Sequence, residues 1–274
     1  MLWSDLPRRL ATVSIGFPLV WFLFSVPELA LLSFLVIQIV CSYEFAQMNP
    51  SSGKSSWIKG LFVLCSIALT LGTMTDDSLF LVGLWSVNAL FCLMSPSTWW
   101  SIGILLITIP FRTWLVVCQD FATTISILLT VWNCDTGALV AGRLSKQLIP
   151  NHRLPIPQWV LRLSPAKSSE GFLGGILGGF LTSYYLMPFL MEFFQVPLSE
   201  PYYEIWIDAP PSTRILLGVA LSAAAIVGDL VESAVKRKSK VKDSGKLLPG
   251  QGGLLDRFDS SLLSVLVYVY VFQR

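Results

Sequence analysis

The sequence predicts an all-α fold: a polytopic integral membrane protein with about nine transmembrane helices. Of its 274 residues, 54% are hydrophobic and 13% are charged, and the mean hydropathy is +0.66. A soluble domain carries about 25% charged residues, so most of this surface must be covered by lipid. The same composition excludes a disordered chain. The apolar residues also form runs close to the roughly 20 residues that cross a bilayer.

Nine apolar stretches are the predicted spans. The first is followed, after Pro27 and Glu28, by a second apolar run without a small-residue cleavage site. We therefore expect a retained helical hairpin rather than a signal peptide. We expect an N-terminal region, 1–120, made of this hairpin and three more spans, and a C-terminal transmembrane region, 121–274. The predicted spans are 10–26, 29–45, 57–74, 79–95, 98–118, 121–141, 171–191, 214–235 and 260–273.

Basic residues collect on one face when the loops between these spans alternate across the membrane. Of the 19 Lys and Arg residues, all but Arg112, Arg214 and Arg274 fall on the face that holds the N-terminus. The positive-inside rule makes that face cytoplasmic. Two cytoplasmic segments, 142–170 and 236–259, are longer than connection requires and hold most of these cations.

Three of the acidic residues within the predicted spans are candidates for function. Asp135 falls deep in the sixth span, and Asp229 and Glu232 lie near the cytoplasmic end of the eighth. Ionisable groups in a membrane are costly and are therefore functional candidates. Ser233 and Lys236 follow Asp229 by four and seven residues, so they share its helix face. An interhelical salt bridge without further function is the alternative.

The segment that follows the eighth span mixes cations with carboxylates. Cations suit phosphate oxygens, and Mg²⁺ takes one or two carboxylates together with substrate phosphates. Glycines in the same segment would let backbone N–H groups approach an anion. The segment therefore predicts a nucleotide and metal site. Its residues are Lys236, Arg237, Lys242, Asp243, Gly250, Gly252, Gly253, Asp256, Arg257 and Asp259.

The other cytoplasmic segment ends in a predicted helix start. Ser164 would cap the helix and Pro165 would occupy its first position, which leaves Lys167 at the membrane rim. Glycines then recur every four residues, a spacing that predicts close packing of transmembrane helices rather than a nucleotide loop. These glycines are Gly171, Gly175 and Gly179, and also Gly174 and Gly178.

At these residues the sequence resembles the phosphatidate cytidylyltransferases, also called CDP-diacylglycerol synthases. The resemblance is specific because many fixed spacings match within one short stretch. The matching residues are Ser233, Lys236, Arg237, Lys242, Asp243, Pro249, Gly250, Gly252, Gly253, Asp256, Arg257 and Asp259. Weaker similarities are Arg9, Tyr43-Glu44-Phe45, Asp135-Thr136-Gly137-Ala138, Gly142-Arg143, Ser164-Pro165-x-Lys167 and Glu170-Gly171.

The resemblance implies that CTP and phosphatidic acid react to give CDP-diacylglycerol and pyrophosphate. It implies Mg²⁺ as cofactor, with a second monovalent or divalent cation left open, and Asp229 and Asp256 as the metal ligands. The implied catalytic residues are Asp229, Lys236, Arg237, Asp243, Asp256 and Asp259. The implied substrate-binding residues are Asp135, Ser164, Lys167, Lys242, Gly250, Gly252, Gly253 and Arg257.

The sequence departs from the family pattern at two places. Gln251 stands where the family has a histidine, and Ser168-Ser169 replaces Thr-Trp. A glutamine cannot exchange a proton near neutral pH. We expect the chain to need no such exchange, because the phosphate of phosphatidic acid is already an anionic nucleophile.

Two other functions stay open on the sequence alone. One is a CTP-dependent lipid kinase, and the other is a non-enzymatic membrane transporter with an intramembrane cation site. We expect CTP, phosphatidic acid and membrane lipids as partners, no nucleic acid, and a homodimer as one available oligomeric state. The expected location is a bacterial inner (plasma) membrane with the active site on its cytoplasmic face.

Overall fold

The computed structural model describes residues 18–49, 56–72, 77–94, 98–148, 154–196, 198–199, 202–247 and 252–273. These residues fold into helices, and no β-strand occurs among them. Within these ranges, five helices are long and apolar enough to cross a membrane. The prediction of an all-α membrane protein is therefore confirmed, whereas the count of nine spans stays a prediction.

The helices follow the apolar stretches of the sequence in order. Helical residues 18–25 come first; the remainder of the first predicted span, 10–17, lies outside the described residues. The N-terminal helices are α1 (Pro27–Gln47), α2 (Ser56–Gly72), α3 (Asp77–Met94) and α4 (Thr98–Val117). The C-terminal helices are α5 (Phe121–Leu148), α6 (Gln158–Leu163), α7 (Ser169–Phe193), α8 (Pro211–Lys238) and α9 (Leu255–Val267), which a π-helical turn, Tyr268–Phe272, extends.

Aromatic stacking and a buried polar network join the N-terminal helices. The rings of Phe34 on α1 and Trp114 on α4 stack with centroids 4.8 Å apart. Gln38 Nε2 on α1 donates to Ser66 Oγ on α2 at 3.1 Å, and Ser66 Oγ lies 3.0 Å from Thr108 Oγ1 on α4. Hydrogen bonds between side chains of different helices help to hold transmembrane helices together.

Helices α5 and α7 approach closely through the glycine repeat. A Cβ atom added at Gly178 would lie 2.5 Å from Asn133 O, and one added at Gly171 would lie 3.0 Å from Ala138 O. Only glycine leaves room for this approach of the two backbones. The prediction that these glycines serve helix packing is confirmed.

The predicted helix start at Ser164 is wrong. Ser164 instead ends α6, where its N–H donates to Val160 O at 2.8 Å. Its backbone is extended, the conformation that a residue before proline favours. Helix α7 begins at Ser169, and Ser168 is its N-cap, with Oγ accepting from Gly171 N at 3.0 Å.

Helix α9 connects the two predicted regions of the chain. Its Phe258 ring meets Phe34 of α1 edge-on, with ring centroids 6.4 Å apart. The division at residue 120 is a prediction from sequence alone, and contacts such as this one cross it. The C-terminal segment therefore packs against helices from the start of the chain.

Large apolar side chains cover much of the outer surface. Leu93 is 86% exposed, Trp85 71% and Leu64 66%. Exposure of many such side chains is unfavourable in water and ordinary in lipid. The surface therefore agrees with the membrane assignment.

Candidate active site

A polar cavity of about 710 Å³ lies where the ends of α5 and α8 meet the starts of α7 and α9. Carboxylates and cations from α5, α8, α9 and the segments that precede α7 and α9 line it, so it combines both signs of charge at one place. This volume is within the range of ordinary ligand sites. The charged residues of its described lining are Asp135, Asp229, Asp243, Asp256, Asp259, Arg143, Lys146, Lys167, Lys236 and Arg257.

One face of α5 forms a wall of the cavity. Leu139, Gly142, Arg143 and Lys146 line it together with Asp135, which they follow by four, seven, eight and eleven residues. This is the spacing of a single helix face. Asp135 therefore lies at the inner end of the wall, and the two cations lie toward the end of α5.

Asp229 on α8 is held by two side chains. Lys167, from the turn before α7, donates to Asp229 Oδ2. Ser233 Oγ, one helical turn further along α8, lies 3.3 Å from Asp229 Oδ1. The Lys167 and Asp229 side chains are 15% and 31% exposed, so the pair is partly shielded from solvent. The Lys167–Asp229 contact links the turn before α7 to α8.

Lys236 joins α8 to α9. Its Nζ pairs with Glu232, one turn earlier on α8, and lies 2.7 Å from Asp256 Oδ1 on α9. All three side chains are 12% exposed or less. The predicted common face of Asp229, Ser233 and Lys236 is confirmed by these contacts.

Asp256 lies where two loop segments meet. Its Oδ2 accepts hydrogen bonds from Ser244 N at 3.0 Å and Gly253 N at 2.7 Å. Gly252 has a φ of 86°, and a Cβ there would lie 2.5 Å from Asp256 Oδ2. Asp256 precedes the predicted span 260–273. Burial alone would raise its pKa, but the bond from Lys236 and the two backbone N–H groups outweigh burial and keep the pKa below its ordinary value.

A comparison with known families identifies the family to which the chain belongs. Residues 7–274 match the model of the cytidylyltransferase family. The chain belongs to the cytidylyltransferase family.

Bacterial relatives of this cytidylyltransferase-family chain carry the name phosphatidate cytidylyltransferase. The Staphylococcus aureus (strain COL) protein is 41% identical over 134 residues, which are 48% of this chain and 42% of the relative. The Staphylococcus epidermidis (strain RP62A) protein is 34% identical over 208 residues, 74% and 64% of the two chains. The Staphylococcus haemolyticus protein is 32% identical over 219 residues, 78% and 70%. The matched stretches thus cover between 42% and 70% of these relatives.

The structure of this family member brings most of the predicted site residues to the cavity. Asp135, Asp229, Asp243, Asp256, Asp259, Lys167, Lys236 and Arg257 line it. Gly252 and Gly253 lie beside it through their contacts with Asp256. Gly250 and Gln251 lie outside the described residues.

Three predicted residues have other positions in the described structure. Arg237 is exposed, and its Nε donates to Leu163 O at 3.0 Å, so it braces α6 against α8. Lys242 is exposed in the loop and is not among the described lining. Ser164 ends α6, and its carbonyl accepts from Lys167 N at 3.2 Å. Their assigned roles stay predictions.

Three residues near the site were not among the predicted site residues, although Arg143 and Glu44 belong to the weaker family similarities. Arg143 and Lys146 could have been found, because counting turns along α5 from Asp135 places both on its face. Glu44 lies on α1 and contacts the loops around Asp256. About 200 residues separate Glu44 from its partners, and no local spacing indicates such a contact.

The donor atoms of this cavity fit Mg²⁺. No cluster of three or more His, Cys, Asp or Glu side chains arranged to hold a metal occurs among the described residues. Mg²⁺ needs only one or two carboxylates, because water and substrate phosphates complete its shell. Asp229 and Asp256 both face the cavity and offer oxygen ligands, which Mg²⁺ prefers to nitrogen or sulfur. They are the residues that would hold it.

Proposed function

We propose that this chain is a phosphatidate cytidylyltransferase that converts CTP and phosphatidic acid to CDP-diacylglycerol and pyrophosphate. The observation that carries the proposal is the mixed cavity, in which Asp229 and Asp256 face basic residues from four elements. The names of the relatives support the same reaction. The two substrates are both polyanions, so the cavity must overcome their mutual repulsion.

The chemistry needs no nucleophile from the protein. An oxygen of the lipid phosphate monoester attacks the α-phosphorus of CTP and forms the new P–O bond. The bond from the α-phosphorus to the oxygen that bridges to the β-phosphorus breaks, and pyrophosphate leaves with that electron pair. The protein must hold both phosphates in line and offset their repulsion.

Side chains of the cavity can hold the two phosphates in line and offset their repulsion. Asp229 and Asp256 would hold Mg²⁺, which would supply positive charge to offset the charge on the phosphate oxygens. Lys167 and Lys236 now neutralise these two aspartates. We propose that each ammonium turns to a phosphate oxygen when the substrates bind. Arg143, Lys146 and Arg257 would then contact the triphosphate and the lipid phosphate, joined by the predicted Arg237 and Lys242 from the rim.

The proposed orientation places this cavity on the cytoplasmic face of a bacterial inner membrane. The last turns of α5 and α8 carry Lys146 and Lys236, Arg237 and Lys238, which favours the cytoplasmic side by the positive-inside rule. CTP is a cytoplasmic nucleotide, and phosphatidic acid would reach the cavity from the bilayer. The nine-span arrangement is part of this proposal.

Loss of either proposed metal ligand tests the site. In detergent with CTP, phosphatidic acid and Mg²⁺, we expect Asp229→Ala and Asp256→Ala to lower phosphatidate-dependent release of pyrophosphate at least 100-fold. Each variant removes one of the two carboxylates that we propose as Mg²⁺ ligands. Glu192→Ala, at the far end of α7, is the matched control and should keep full activity. Retained activity in both aspartate variants, with their fold intact by circular dichroism, would refute the assignment.

A further inference from the structure

Glu44 is a buried acid near the last turn of α1, far in sequence from the site. Its side chain is 6% exposed. Among the described residues, its carboxylate accepts hydrogen bonds and has no cation within ion-pair distance. A buried carboxylate without such contacts would be strongly unfavourable, so its partners show which part of the fold it supports.

The partners of Glu44 belong to the two loop segments around Asp256. Oε2 accepts from Ser244 Oγ at 3.1 Å and from Leu255 N at 2.9 Å, and Oε1 accepts from Leu254 N at 3.0 Å. One carboxylate thus holds segment 243–247 and the start of α9 together. Bonds from uncharged donors to an ionised acceptor are stronger than neutral ones.

Two glycines in these segments leave the space that Glu44 occupies. A Cβ added at Gly253 would lie 2.5 Å from Glu44 Oε2, and one at Gly245 would overlap Oε1. The loop therefore fits around the carboxylate on two sides. This close fit indicates that the contact holds one defined geometry.

Glu44 also acts as the N-terminal cap of α9. The N-cap residue of that helix, Leu254, provides no side-chain cap of its own. The first N–H groups of a helix lack partners within the helix, and a carboxylate there is favoured by the helix dipole. Glu44 supplies the acceptor from another helix.

These contacts converge on Asp256. Ser244 bonds Glu44 through its hydroxyl and Asp256 through its N–H, and Leu255 directly precedes Asp256. We infer that Glu44 is a positioning residue, which fixes the loop and the start of α9 so that the Asp256 carboxylate faces the cavity. This inference rests on the proposed function of Asp256 as a metal ligand.

Amide hydrogen exchange of the metal-free protein tests the contact without using activity. We expect Glu44→Ala to speed exchange at least tenfold in peptides covering 243–247 and 252–256, and Glu44→Gln to do so by a smaller factor. Gln38→Leu, a buried polar residue on the same helix that bonds α2 instead, is the control and should leave these peptides unchanged. If Glu44→Ala does not fold, Ser244→Ala serves in its place with the same direction of change. Unchanged protection in these variants overturns the inference.

The Mg²⁺ dependence of turnover separates positioning from a structural role. Removing a partner that orients a metal ligand costs about 10–100-fold in metal affinity or activity. We expect Glu44→Gln to raise the half-saturating Mg²⁺ concentration about tenfold. A loss of folded protein alone would lower kcat without this shift, and that result overturns the inference. If the wild type shows no turnover, the proposed function fails, while hydrogen exchange still decides the role of Glu44.

Discussion

Lys236 and Lys167 each neutralise a proposed metal ligand, but they do so in different surroundings. Lys236 lies between Glu232 and Asp256, whose side chains are 8% and 9% exposed. Lys167 faces Asp229, which is 31% exposed. Removing a cation from buried carboxylates leaves an uncompensated charge, whereas water can reach a more exposed one.

The two lysines should therefore differ in their effect on stability. We expect Lys236→Met to lower the free energy of unfolding by about 3 kcal/mol. Lys167→Met should lower it by about 1 kcal/mol because Asp229 keeps contact with solvent. Thermal unfolding in detergent at neutral pH measures both. Equal losses in the two variants would contradict this difference in burial.

Residue-level prediction from the sequence worked where one helix or one loop supplied the whole pattern. Asp229 and Lys236 are seven residues apart on one helix, so their common face follows from helix geometry. Asp256 and Asp259 were selected because one short segment mixes carboxylates with cations and glycines, and the family resemblance agrees with this choice. Glu44 belongs only to the weaker similarity Tyr43-Glu44-Phe45, and no local spacing indicates its partners, which lie about 200 residues away.

At the scale of elements, close packing of α5 against α7 positions the cavity wall. Asp135 lies two residues from Asn133, whose carbonyl oxygen faces Gly178. Any change that separates these helices should therefore also move the wall that carries Asp135, Arg143 and Lys146. The glycine repeat thus serves the site through packing.

A single methyl group at this contact should be costly. We expect Gly178→Ala to destabilise the protein by about 1–3 kcal/mol, because its Cβ would lie 2.5 Å from Asn133 O and the backbones must move apart. Gly72→Ala, where the added Cβ meets nothing within 4 Å, is the matched control. Unfolding temperatures of the two variants check this; an unchanged temperature for Gly178→Ala would show that the helices are not packed this closely.

The helix boundaries show why sequence prediction failed at Ser164. Ser-Pro is a good helix start in isolation. Residues 158–163 form a helix of their own, however, and the turn that follows it uses Ser164 as its first residue. Ser168 caps α7 instead, because its Oγ accepts from Gly171 N at 3.0 Å.

For the whole molecule, the orientation in the membrane can be tested through α8. The loop after α8 and the segment before it should face opposite sides of the membrane. In a cysteine-free background, we expect Lys240→Cys to react with a membrane-impermeant maleimide only from the cytoplasmic side. Asp208→Cys should react only from the other side. Labelling of both from one side would contradict α8 as a membrane span.

The central claim is that this cavity transfers a cytidylyl group to a lipid phosphate, and the fate of labelled CTP tests it most directly. Purified protein would receive phosphatidic acid, Mg²⁺ and CTP labelled either at the α- or at the γ-phosphate. We expect the α-label to enter the lipid fraction and the γ-label to leave as pyrophosphate. Entry of the γ-label into lipid would indicate a lipid kinase. If neither label is transferred, the membrane transporter is the remaining hypothesis. Either result would contradict the proposed reaction.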